Sequence, residues 1–219
     1  PNFPRYREVS VAIQNIFGSY TELVEKISLD EAYLDVTQNH HGISSATQIA
    51  KQIRFDIQNS TGLTASAGVA PNKFLAKIAS DWNKPDGLCI VKPHQVLAFV
   101  RNLPLRKIIG VGKATEKKLL SLNIRTMEEL QACSEKHLRN YFGKFGTRLY
   151  FLVRGIDESP VRATRPRKSL SKERTFEKDL YIEDIQHHVP SLISEVWNEL
   201  KDLKKTPKTL FVKLKTSQF

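Results

Sequence analysis

The chain changes character near Pro93: strands and helices alternate before it, and no strand pattern survives from there to about Val153. That change limits the fold more than any other feature. In the first part, Val9, Ala12, Ile13, Ile16 and Phe17 recur at helical spacing, with Gly18 expected to close the helix. Glu25 to Val36 reads as a hairpin or strand with a tight bend near Leu29 and Asp30. Ala46, Ile49, Ala50, Ile53 and Ile57 line one side of a second helix over 44–59. Leu63 to Ala70, small and β-branched, reads as a strand, and a third helix is expected over 71–82 with Pro71 in its first turn. The Asn-Lys-Pro-Asp-Gly run at 83–87 ends it, and Leu88 to Val91 is a short strand. The order α-β-β-α-β-α-β is that of an α+β sandwich.

Beyond Pro93, short helices are punctuated by Leu103-Pro104, Gly110-Val111-Gly112, Gly143 and Gly146, ending near Gly155. Residues 158–168 hold Pro160 and Pro166 with Arg162, Arg165, Arg167 and Lys168, and read as a basic linker. A strand over 169–176, a helix ending near Lys205 and a strand over 210–215 predict a β-α-β unit. Leu192, Ile193, Val196, Trp197, Leu200 and Leu203 give that helix its apolar stripe, and Pro190 marks either its start or a kink. One β-α-β unit makes no complete sheet, so this last domain is expected to be partial.

The net charge is +11 and unevenly spread. Residues 1–90 carry 8 Lys/Arg against 9 Asp/Glu, residues 91–157 carry 13 against 5, and residues 158–219 carry 13 against 9. A neutral first part followed by two basic ones points to a core with polyanion-binding attachments. No apolar run approaches the ~20 residues of a membrane span, and the first residues lack the apolar core of a secretory signal. Cys89 and Cys133 are far apart and outside any C-x-x-C spacing, which suits a reduced cytoplasm and suggests neither a zinc site nor a disulfide framework.

Three motifs can carry chemistry. The first is Ser28 to Asp35, with Asp30 next to Glu31. Neighbours on a straight strand face opposite ways, so the two carboxylates share a ligand only where the backbone bends. Hard oxygen ligands of this kind suit Mg²⁺, which takes one or two carboxylates plus substrate phosphates; the bland alternative is an exposed acidic turn. The second is Ala70 to Ser80, where Lys73 and Lys77 share a helix face and could neutralise a triphosphate, or simply be solvated. The third is Ile108-Ile109-Gly110-Val111-Gly112-Lys113 ahead of a helix. Two glycines let short helices meet tightly, and backbone N–H groups at the helix start, beside Lys113, can hold a phosphate without reading a base.

In this order the motifs resemble those of the Y-family translesion DNA polymerases, bacterial DNA polymerase IV (DinB) type. SLDEAYLDVT (28–37) is similar to the family's palm motif, and GVAPNKFLAKIASDWNKPDG (68–87) to the palm block after it. IIGVGK (108–113) is similar to the thumb helix-hairpin-helix, YFGKFG (141–146) to a later thumb turn, and KSLSKERTF (168–176) to the start of the little finger. The resemblance implies an incomplete ferredoxin-like palm over 1–92, an all-α thumb over 93–157, the linker over 158–168, and a partial β-α-β little finger over 169–219. It implies Asp30 and Glu31 as metal-binding catalytic carboxylates, and Ser28 and Lys77 beside the incoming nucleotide. Gly110, Val111, Gly112 and Lys113 would hold the primer strand, and Arg162, Arg165, Arg167 and Lys168 would meet DNA on the way into the little finger. The reaction would be two-metal addition of a deoxynucleoside triphosphate to the primer 3′ end of a primer-template, with two Mg²⁺ ions.

Against the family pattern, the third metal carboxylate and the sugar-discriminating residue are expected upstream of Pro1. The rest of the little finger and the tail that binds the sliding clamp are expected beyond Phe219. This stretch alone is therefore expected to bind DNA without polymerising. Two other readings remain at this level: a non-enzymatic helix-hairpin-helix DNA-binding protein, and a metal-dependent nuclease. The nuclease ranks last, because the six histidines fall in loops or polar stretches and supply no general base.

Overall fold

Local signals set most helix ends. A computed structural model describes residues 2–216. Helix α1 (Phe3–Tyr20) begins behind Asn2, whose side-chain oxygen accepts from the Arg5 N–H at 3.2 Å. It runs through Gly18 instead of closing there, and its last residue, Tyr20, is buried. Burying that ring stabilises the final turn by more than one helical glycine costs, about 1 kcal/mol. The strands β1 (Val24–Lys26) and β2 (Ala32–Leu34) follow, then α2 (Ala46–Thr61), which Ser45 caps at its start and left-handed Gly62 ends. Next come β3 (Ala67–Val69), α3 (Lys73–Trp82) behind the Asn72 cap, and β4 (Leu88–Ile90).

The four strands form two separate pairs. β1 and β2 are antiparallel, with Glu25 opposite Tyr33; β3 and β4 are parallel, with Gly68 opposite Cys89. Among the described residues no strand joins the pairs. This is the α+β arrangement the sequence predicts, with shorter strands. Ile49, Ile53 and Ile57, four apart on α2, are buried with Tyr20, and Ile13, Ile16, Phe17, Leu34 and Val36 pack around them. Each such isoleucine contributes about 1.5–3 kcal/mol relative to exposure.

After β4 the chain is helical: α4 (Val96–Arg101), α5 (Lys113–Ser121), α6 (Met127–Ala132), α7 (Glu135–Phe142) and α8 (Lys144–Leu152). α6 opens on a capping box in which Thr126 and Glu129 each accept from the other's backbone N–H. These helices do not make a core of their own. Phe74, Leu75 and Ile78 of α3 lie in the same apolar cluster as Val100, Leu119, Leu130, Leu138, Leu149 and Val153. The compact division of the chain falls between Thr164 and Arg165, inside the basic linker.

The second unit, from Arg165, corrects one expectation. The strands predicted over 169–176 and 210–215 do not form; α9 (Ile182–Ile185) and α10 (Val189–Asp202) are its α-helices. The two segments are tied by an ion pair, Lys215 to Glu173 at 2.8 Å, yet a lone two-stranded ladder is marginal without more strands beside it. Correspondingly α10 has no buried residue, and Ile193, Trp197, Leu210 and Phe211 stay exposed. No helix of the described residues is long and apolar enough to cross a membrane.

Candidate active site and nucleic-acid interface

The β1–β2 connection gives Asp30 and Glu31 the bend they need. The Glu31 carbonyl accepts from the N–H groups of Ile27 (2.9 Å) and Ser28 (3.3 Å), closing a tight five-residue turn. Ser28 Oγ donates to Asp30 Oδ1 at 2.6 Å, and Ser10 Oγ of α1 donates to the Leu29 carbonyl at 2.5 Å, fastening the turn to α1. Asp30 is exposed and Glu31 half-buried. Ser28 is thus a direct partner of one carboxylate.

Lys77 meets the other. Its Nζ lies 2.6 Å from Glu31 Oε1. Lys73, one turn earlier on the same face, reaches Glu25 instead, at 2.6 Å, with Glu25 buried and Lys73 half-buried. The two lysines that the sequence pairs as one patch therefore have different partners, and Lys77 alone sits at the acidic turn. Next to it, Asp81 is hydrogen-bonded by Lys84, which holds its carboxyl below the usual carboxylate range, and the charges of Lys77 and Lys107 act in the same direction.

The Gly110 hairpin faces this group across a cleft of about 490 Å³, lined by Lys77, Asp81, Arg106, Lys107, Gly110 and Gly112 among others. The Val111 N–H donates to the Ile108 carbonyl at 2.9 Å, and Gly110 takes φ +96°, a conformation natural to glycine alone. Both Ile108 and Val111 are buried. Val111 is consequently a core plug whose N–H is already used. Gly112 caps α5 without any side-chain hydrogen bond, so the first-turn N–H groups of α5 have no side-chain acceptor. Among the described residues Lys113, the first residue of that helix, makes no ion pair. The donors of the motif that could hold a phosphate are therefore those at Gly112, Lys113 and the turn they begin.

The linker residues part company. Arg162 belongs to the first unit, its backbone N–H donating to Glu25 Oε2 at 2.9 Å while its side chain is exposed. In the second unit Arg167 pairs with Glu199 at 2.7 Å, a carboxylate it shares with Lys172 at 2.8 Å, and Lys168 is exposed. Arg165 is also engaged. Glu25, Asn72 and Asp157, prominent in the structure, are not among the sequence-predicted site residues, and Lys73 is expected only as a partner of Lys77. The available signal was an acid at an inward strand position opposite Tyr33, and an asparagine immediately before a helix.

Among the described residues no three His, Cys, Asp or Glu side chains converge to hold a metal ion. The Asp30–Glu31 turn fits part of a hard-cation site: its donors are carboxylate oxygens, one of them exposed, and the nearest charge to Glu31 is an exchangeable lysine.

Residues 1–81 match the impB/mucB/samB family, residues 102–157 the DNA polymerase-iota thumb domain, and residues 167–219 the impB/mucB/samB family C-terminal domain. Over all 219 residues the chain is 50% identical to the DNA polymerase IV of Neisseria meningitidis serogroup B, covering 69% of that protein. The chain belongs to the Y-family of DNA polymerases. A solved Y-family polymerase chimera of Dbh and Dpo4 superposes with a TM-score of 0.78 at 29% identity, over 90% of this chain and 58% of the other. An insertion ternary complex of Dbh DNA polymerase superposes with a TM-score of 0.69 at 28% identity, over 90% and 58%. The chain spans about three fifths of the length of most curated Y-family relatives it matches.

Proposed function

We propose that this chain is the palm, thumb and first part of the little finger of a bacterial translesion DNA polymerase, with module limits near 92, 157 and 168. The single observation that carries the proposal is that Lys77, ion-paired with Glu31 of the acidic turn, lines one cleft together with the Gly110–Gly112 hairpin. An acidic turn for a metal, a lysine for a triphosphate and a hairpin for a primer backbone are the parts that nucleotidyl transfer needs together.

In the resting chain Glu31 and Lys77 neutralise each other. An incoming nucleotide with its cation gives each a replacement counter-charge, so the pair opens at little electrostatic cost. Lys77 turns from Glu31 Oε1 to a triphosphate oxygen. Asp30 and Glu31 would hold a divalent ion, magnesium in this proposal, which when bound would supply charge neutralisation at the reacting phosphate. Ser28 keeps Asp30 in place through its 2.6 Å hydrogen bond. Gly112 and Lys113 fix the primer backbone, and the basic residues from Arg162 to Lys168 follow the duplex. A sliding clamp would be a partner of the longer protein, and the cytoplasm its compartment.

The test uses the parent protein. Asp30→Ala or Glu31→Ala should abolish templated primer extension while duplex affinity changes less than about threefold. Equal loss of both would make the acidic turn structural and end the proposal. The 219-residue chain alone should bind primer-template and show no extension with Mg²⁺ and nucleotides.

A further inference from the structure

The segment that leaves α8 does not wander off into the linker; it is fastened to the N-terminus of α3. Asn72 Nδ2 donates to the Gly155 carbonyl at 2.8 Å while Asn72 Oδ1 caps Leu75 of its own helix at 3.0 Å. Asp157 Oδ2 accepts from the Phe74 N–H at 3.2 Å, so α3 is capped a second time from 83 residues away. Ser159 braces Asp157, with Oγ and N–H donating to Oδ1 at 2.7 and 3.2 Å. Lys73 Nζ donates to the Pro160 carbonyl at 3.2 Å and to Glu25 Oε2 at 2.6 Å, and the same Glu25 oxygen accepts from the Arg162 N–H at 2.9 Å. The side chains of Lys73 and Glu25 are 11% and 2% exposed, and Lys73 lies 4.9 Å over the Tyr33 ring.

We infer that Glu25, Lys73 and Asn72 form a clasp that holds residues 155–162 against α3, so that the chain leaves α3 only after Arg162. The second unit starts at Arg165. With the clasp shut, the segment from Gly155 to Arg162 follows α3; with it open, that segment is released along its whole length. Glu25 and Tyr33 are paired in the hairpin that carries Asp30 and Glu31, and Lys73 is one turn from Lys77. The origin of the tether and the frame of the acidic turn therefore share the same residues. These are positioning residues, and the inference goes beyond the polymerase proposal: its test contains neither DNA nor nucleotide, so either can fail alone.

The test is limited trypsin digestion of the 219-residue chain, following cleavage after Arg162 against cleavage after Lys168. Replacing the buried pair by apolar residues of similar size, Glu25→Leu with Lys73→Met, leaves no unpaired buried charge and removes the acceptor for the Arg162 N–H. A second variant, Asn72→Ser, keeps a helix cap but loses the donor to Gly155. Proteolysis reads the population of the opened segment. The expected result is at least a tenfold rise in cleavage after Arg162 relative to Lys168 in the double variant, and a smaller rise in Asn72→Ser. The melting temperature and cleavage after Lys117 and Lys136 should be unchanged. An unchanged Arg162 to Lys168 ratio overturns the clasp. So does a parallel rise at every site with a lowered melting temperature, which would make the pair a contributor to overall stability only.

Discussion

The two glycines of the hairpin offer a sharp separation of folding from binding. At Gly110 the backbone has φ +96°, and an added Cβ would lie 2.5 Å from Cε2 of Phe145 on α8. Alanine there carries a left-handed backbone penalty of about 1–2 kcal/mol. Pushing the Phe145 ring aside in a packed core adds about 1–3 kcal/mol. Gly110→Ala should therefore lose about 2–5 kcal/mol in urea denaturation, with part of that recovered when Phe145 is shortened to Leu. At Gly112 the backbone is extended, φ −88° and ψ −175°, and an added Cβ meets nothing within 4 Å. Neither φ nor packing demands a glycine there, so Gly112→Ala should cost no more than about 1 kcal/mol, the disadvantage of alanine at a helix N-cap. If the α5 N–H groups hold a phosphate, a methyl at 112 obstructs its approach. One charge-assisted hydrogen bond lost is about 1.5–3 kcal/mol, so duplex affinity by fluorescence anisotropy should fall at least about tenfold. Two results would refute this division: Gly112→Ala unfolding as readily as Gly110→Ala, or a folded Gly112→Ala chain that binds duplex unchanged.

Two further outcomes are expected. Because the proposed binding surfaces are backbone N–H groups and cationic side chains, duplex affinity should drop steeply between ~50 and ~200 mM salt with little dependence on sequence, and a flat titration would contradict phosphate contacts. Burial first, then the 2.5 Å hydrogen bond to Asp56 and that carboxylate's charge, push the Tyr20 phenol pKa upward. A folded-state pKa above the unfolded value of about 10 means the contribution is whole below that pH and is lost as pH rises beyond it. The stability of the native chain should therefore fall more steeply from about pH 10 to 11 than that of Tyr20→Phe, as read by urea denaturation; equal slopes would show that Tyr20 does not titrate this way.

What the sequence made legible was local. The turn at Asp30, the helix expected over 71–82 (found from Lys73, behind the Asn72 cap, with Pro71 outside it) and the Gly110 hairpin all rest on residue types whose backbone preferences act over a few positions. The pairing of Glu25 with Lys73 joins residues 48 apart, and no periodicity reports it. Lys73 and Lys77 have identical helical spacing to any acidic partner, so only the tertiary fold could assign them to different carboxylates. Val111 fits the hairpin motif as written, but its buried side chain and used N–H become visible only with Ile108 in place. The missing strands over 169–176 and 210–215 fail for the opposite reason: their residues have the right pattern, and the chain described offers them no sheet to join.

α3 gathers all of these functions, and its surroundings decide which part of the site can move. On one side an added Cβ at Gly68 of β3 would stand 2.2 Å from the Ala76 carbonyl oxygen, so strand and helix backbones are already at closest approach. On another, Phe74, Leu75 and Ile78 are locked into the helical core. Its first turn is capped twice, by Asn72 and by Asp157. A helix held at three faces cannot translate by the ångström or more that exchanging Glu31 for a phosphate requires without breaking packed contacts. The Lys77 side chain, 28% exposed with four rotatable bonds, can make that exchange by a rotamer change alone. In the proposed reaction, opening of the Glu31–Lys77 pair would therefore be a side-chain event on a fixed helix.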